Sequence, residues 1–83
     1  MDLAVVLWTD RHSDPGVYLF TDPAVAIEWA KKQAKAMDRH GDSFQEIPIT
    51  NDMARCRWIY LCNYSCEGDG LRVMMVTVDK DIA

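Results

Sequence analysis

Two five-residue segments of this 83-residue chain nearly repeat each other, Asp10-Arg11-His12-Ser13-Asp14 and Asp38-Arg39-His40-Gly41-Asp42. Imidazole titrates near neutrality and a neighbouring carboxylate fixes its tautomer, so histidine flanked by aspartates can do acid–base chemistry or ligate a metal. Either use requires the two segments to converge in space. The alternative is two polar turns that share favoured turn and cap residues.

The cysteines, Cys56, Cys62 and Cys66, add zinc-ligand types to His12 and His40. Structural zinc sites favour paired Cys-x-x-Cys knuckles, a spacing the chain lacks. Cys56 and Cys62 read as small buried hydrophobes and Cys66 as an exposed thiol. Glu67-Gly68-Asp69-Gly70 is an acidic, glycine-rich tip with too few oxygens for calcium; beside Tyr64 it can engage a basic partner. No phosphate-binding loop, dinucleotide fingerprint or nucleophile elbow occurs. The reading is therefore not an enzyme, with no catalytic residue, no metal and no cofactor.

These segments lie between elements that the apolar pattern marks out. Leu3 to Trp8 is apolar at both parities, as in a central strand buried on two faces. Asp14-Pro15-Gly16 turns the chain into a second strand, Val17 to Phe20. Thr21-Asp22-Pro23 then starts a helix, capped by Thr21 or Asp22 and running to about Arg39. Ile27, Ala30, Ala34 and Met37, with Ala26, share its apolar face, and Glu28, Lys31, Lys32, Lys35 and Asp38 share the other. Phe44 to Ile49 is a third strand, placed at an edge by Pro48, which has no amide hydrogen to donate. Thr50-Asn51-Asp52 reads as a turn. Arg57 to Leu61 and Leu71 to Val78 form two last strands joined through the acidic tip.

The expected fold is α+β, one domain over 1–83, in the order β-β-α-β-β-β, with a mostly antiparallel sheet and one amphipathic helix on one face. A single helix covers one face of a sheet, yet the first, fourth and fifth strands are apolar on both parities. Apolar residues among Trp8, Tyr18, Phe20, Trp58, Tyr60, Met74 and Val76 then face a partner, or a strongly coiled sheet buries them on itself.

A net charge of −4 with scattered carboxylates disfavours direct nucleic-acid binding, which needs clustered Lys and Arg. No segment reads as a signal peptide or as a membrane span. Three cysteines without a secretory leader fit a reducing compartment, so the expected location is cytoplasmic.

In size, acidity, element order and want of a catalytic motif, the whole chain resembles small proteins carried by phages and mobile elements, anti-CRISPR proteins among them. The resemblance implies a stoichiometric inhibitor that binds a host protein through acidic residues and exposed aromatics. The candidate partner-binding residues are Trp29, Trp58, Tyr64, Glu67, Asp69, Asp10 and Asp14, with Trp29 either boundary core or interface anchor. Two other functions fit the residues: a homodimer joined by the spare sheet face or the 44–49 edge, and a small hydrolase or metal-binding protein using His12 and His40 with Asp10, Asp14, Asp38 and Asp42.

Overall fold

The computed structural model describes residues 1–79 and has the expected α+β architecture, with one addition. The elements in chain order are β1 (Asp2–Thr9), β2 (Gly16–Phe20), α1 (Pro23–Met37), β3 (Gln45–Ile47), α2 (Asn51–Arg55), β4 (Trp58–Asn63) and β5 (Gly70–Thr77). The strands make one antiparallel sheet in the order β2-β1-β5-β4-β3. Strand β1 is interior, between β2 and β5, but it is buried on one face only, through Ala4 and Val6, and β5 takes the centre. β3 occupies an edge and is confined to three residues, with Pro48 immediately after it.

Asp22 caps α1, its carboxylate accepting from the amide of Ala24 at 2.9 Å while Pro23 fills the first turn. Ala26, Ala30 and Ala34 are fully buried, and their small side chains let the helix lie close on the sheet. They pack on Ala4 and Val6 of β1, Leu71 and Val73 of β5 and Cys62 of β4. The helix stops at Met37 rather than Arg39 because the Asp38 carboxylate turns to the following loop. It accepts from the amides of Gly41, Ser43 and Phe44 at 3.1, 3.1 and 2.9 Å. Met37, expected on the buried face, is 39% exposed beside this break.

The segment read as a turn at Thr50-Asn51-Asp52 is the start of α2. Thr50 is its N-cap, accepting from the amide of Met53 at 3.2 Å, and Asp52 sits in the first turn, where it complements the helix dipole. Five residues are too few to show an apolar stripe, and α2 buries none of them. It ends at Cys56, which is exposed rather than buried, and Arg57 follows with φ +66°. Arg57 then ties the sheet's lower end, donating to Thr77 Oγ1 at 2.6 Å and to Asp2 Oδ2 at 3.2 Å.

A bulge in β4 decides which side chains face the helix. Trp58 pairs with Met74 and Tyr60 with Val73, so Ile59 is an extra residue between two pairs. Tyr60 and Ile59 pack against the core, and Trp58 is sent to the opposite face.

Candidate functional site

On the helix side, the aromatic residues form one cluster. Trp29 of α1 lies on Tyr18 and Phe20, with ring centroids 4.7 and 5.5 Å apart, and meets Trp8 edge-on at 6.1 Å. Trp29 is half-buried and belongs to this packing rather than standing free as an anchor. Trp8 also meets the ring of Tyr64 edge-on, and its Nε1 donates to the Tyr64 hydroxyl at 2.9 Å.

Tyr64, expected as a partner contact, is 5% exposed, and its hydroxyl donates to Asp10. Asp69 is buried too: it accepts from the amide of Arg11 and from Ser65 Oγ, both at 2.9 Å. Both residues are removed from the accessible surface because the β4–β5 loop folds onto the β1–β2 loop. Glu67 stays exposed and pairs with Arg11 at 2.7 Å, and Asp14 is exposed. Thus Asp10, Tyr64 and Asp69 act as staples between loops, while Glu67 and Asp14 alone of this group face outward.

The two near-repeats converge at one end of the sheet. Asp10 and His12 from one, and Asp38, Arg39 and His40 from the other, line a single cleft of about 510 Å³ with Cys66. The carboxylates in it are already engaged. The Tyr64 hydroxyl and the His12 amide hold the Asp10 carboxyl below the ordinary range. Burial raises that of Asp38, but the amides of Phe44, Ser43 and Gly41 more than offset it and leave it lowered. Among the described residues neither imidazole is hydrogen-bonded to a carboxylate. No group of three or more His, Cys, Asp or Glu side chains there could hold a metal ion. Cys62 lies in the core with its thiol pushed up by burial, away from any thiolate chemistry.

The opposite face of the sheet is apolar and open. Leu3, Val5 and Leu7 of β1 lie beside Val76, Met74 and Arg72 of β5, and Val5 and Leu7 also lie beside Leu19 and Val17 of β2. Met74 continues to Trp58, and Arg72 to Leu61, which pairs with Ile47. Ten apolar side chains thus run from one edge strand to the other, crossed by a single charge. Arg72 lies over the Trp58 ring, 5.9 Å from its centroid. Of the two helices only α1 contacts β1, β2 and β5, and it does so from the other side; α2 contacts β4 alone. The apolar side chains in mid-sheet are partly buried, and Val17 and Leu19 at the margin are 61% and 64% exposed. Trp58, one of the candidate partner-binding residues, lies on this surface because of the Ile59 bulge; equal parity would have put it beside Tyr60 in the core.

No helix among the described residues is long and apolar enough to cross a membrane. No protein-family model matches the chain, and no curated protein or solved structure matches it significantly.

Proposed function

We propose that this chain is a non-enzymatic protein-binding module that presents the open face of its sheet to a host protein, as a stoichiometric inhibitor of the mobile-element type would. The observation that carries the reading is the apolar surface from Val17 and Leu19 to Ile47, interrupted by Arg72 alone, which lies over Trp58. Surfaces of this kind on small domains are docking sites, and a tryptophan–arginine pair is the composition of an interface hot spot. The acidic loops form the rim, with Glu67 and Asp14 steering the approach of a basic partner.

One observation favours a second reading, a small acid–base or metal-dependent enzyme: His12 and His40 share a cleft. It is the weaker because Asp10 and Asp38, the carboxylates that would orient the imidazoles, are spent on holding Tyr64 and the 38–44 loop.

The test is capture of host protein on the immobilised chain and on its Met74→Lys and Glu67→Lys variants. A stoichiometric protein kept by the unaltered chain and by Glu67→Lys, but lost with Met74→Lys, supports docking on the sheet face. Loss with Glu67→Lys alone moves the interface to the acidic loops, and equal recovery on all three overturns the proposal.

A further inference from the structure

The two edges of the sheet are built differently. At β3 the strand is three residues long, carries Glu46 and is followed directly by Pro48. Short length, charge and proline are the devices by which proteins keep an edge from pairing with another chain. β2 is longer, has no charge within it, and has a proline, Pro15, only before its first residue. Gly16–Phe20 pairs with β1 in continuous register without a bulge, and no Lys, Arg, Asp, Glu or proline occurs within it. Its outer backbone amides and carbonyls form an unguarded ladder.

Exposed apolar side chains gather at the same edge. Of the seven large hydrophobic residues exposed among those described, Val17, Tyr18 and Leu19 are on β2. A fourth, Val25, is 53% exposed one turn before Trp29, whose ring packs at a tilt against Tyr18. The edge is therefore apolar on both faces, through Val17 and Leu19 on the open side and Tyr18 with Val25 on the helix side.

We propose that β2 pairs antiparallel with β2 of a second copy of this chain, about a two-fold axis normal to the sheet at Tyr18, giving one continuous ten-stranded sheet. An antiparallel strand is its own complement about such an axis, so the occupant needs no sequence beyond the one present. In this register Val17 meets the partner's Leu19, and Leu19 meets the partner's Val17. Residues 15–21 carry no charge, so nothing charged is desolvated at the centre. The nearest charges, Asp14 and Asp22, lie four residues either side of Tyr18 and fall opposite each other across the axis. Their mutual repulsion gives the association a sign that distinguishes it from the capture of a basic peptide: added salt strengthens it.

Five paired residues bury less than the roughly 800 Å² per partner of a standard interface, so the dimer is weak and concentration-dependent. It uses the strand edge and shares only Val17 and Leu19 with the open face, so a substitution in mid-sheet separates it from the docking function.

The test is sedimentation velocity of the full chain under reducing conditions, up to about 1 mM protein. Hydrogen exchange of the β2 amides is followed over the same range. The mass should rise from 9.5 kDa towards twice that value, and the β2 amides should gain protection as it does. Leu19→Lys, at a site exposed enough to leave the fold intact, should weaken association at least about tenfold, whereas Met74→Lys in mid-sheet should leave it unchanged. A chain monomeric throughout overturns the proposal. So does a dimer lost with Met74→Lys but kept with Leu19→Lys, which is a face-to-face pair, and so does association that weakens with salt.

Discussion

Tyr64 donates its hydroxyl proton to the carboxylate of Asp10 across 54 residues of chain, which makes this contact the fastening between the β4–β5 loop and the β1–β2 loop. Trp8 Nε1 donates to the same oxygen, so one buried hydroxyl satisfies two partners at once. A phenol placed this way fixes where both loops sit and hence the shape of the cleft below them.

Replacing Tyr64 with phenylalanine removes that oxygen and leaves the Trp8 indole N–H without its acceptor. The expected loss is about 1–2 kcal/mol of stability, since buried polar groups stripped of a partner lose their hydrogen bond and stay desolvated. Urea unfolding followed by tryptophan fluorescence measures it. Glu67→Gln breaks only an exposed ion pair with Arg11 and should change stability by less than about 0.5 kcal/mol.

The same contacts set the response to pH. The carboxyls of Asp2, Asp10 and Asp38 are held below the ordinary value of 3.8, so their contribution to stability is present above that value and is lost as pH falls through the lower folded ones. Tyr64 is moved the other way, up to about 12, by burial and by its bond to Asp10. Its contribution is present below the ordinary tyrosine value of 10.0 and is lost as pH rises through about 12. Tyr60 is also raised, by burial and its 2.6 Å bond to Glu46. A tyrosinate absorbance titration should therefore show two phenols ionising late, together with alkaline unfolding. An early release of Tyr64 in folded protein would contradict the Asp10 contact.

Much of this frame was legible in the residues. The Asp22-Pro23 start of α1, its buried alanines and the edge position of β3 follow from capping chemistry, helical period and a missing amide hydrogen. The β4 bulge was not, because an extra residue changes which parity faces the core without changing composition; Trp58 and Tyr60 look alike until the pairing is seen. α2 was missed because Thr50 caps a helix too short to carry a period. The glycine-rich neighbourhood of Tyr64 and Asp69 has the pattern of an exposed tip, and only the meeting of two distant loops buries them. That meeting, which brings His12 and His40 into one cleft, depends on pairings such as Thr9 with Gly70, which local pattern does not encode.

Gly70 is where β4 and β5 come too close for any side chain. A Cβ there would lie 2.1 Å from the Cys62 carbonyl oxygen and 2.6 Å from Asn63 Oδ1. Backbone cannot yield as a side-chain tip can, so Gly70→Ala should force the strands apart at a cost of roughly 3 kcal/mol. Gly41→Ala is the comparison. Its φ of +72° disfavours a side chain but nothing lies within 4 Å, and about 1 kcal/mol is expected. Thermal unfolding of the pair separates crowding from backbone strain, and a smaller loss at Gly70 would mean that the two strands part more easily than their pairing implies.

The open face makes a prediction that needs no partner. Nile red, an uncharged dye that brightens on apolar surfaces, should bind the native protein, because Val5, Met74 and Trp58 lie side by side with no element of α1 over them. Met74→Lys places a charge in the middle of that row. The lysine stem can lie along its neighbours while the ammonium reaches water, so stability should change by less than about 1 kcal/mol. Dye binding should nevertheless fall severalfold. Trp58→Ala removes the ring under Arg72 and should reduce binding too, while Trp29, packed among Trp8, Tyr18 and Phe20 on the helix side, contributes to stability rather than to this surface. Dye binding unchanged by Met74→Lys but abolished by Trp29→Ala would place the exposed apolar surface on the helix side and remove the physical basis for docking on the sheet.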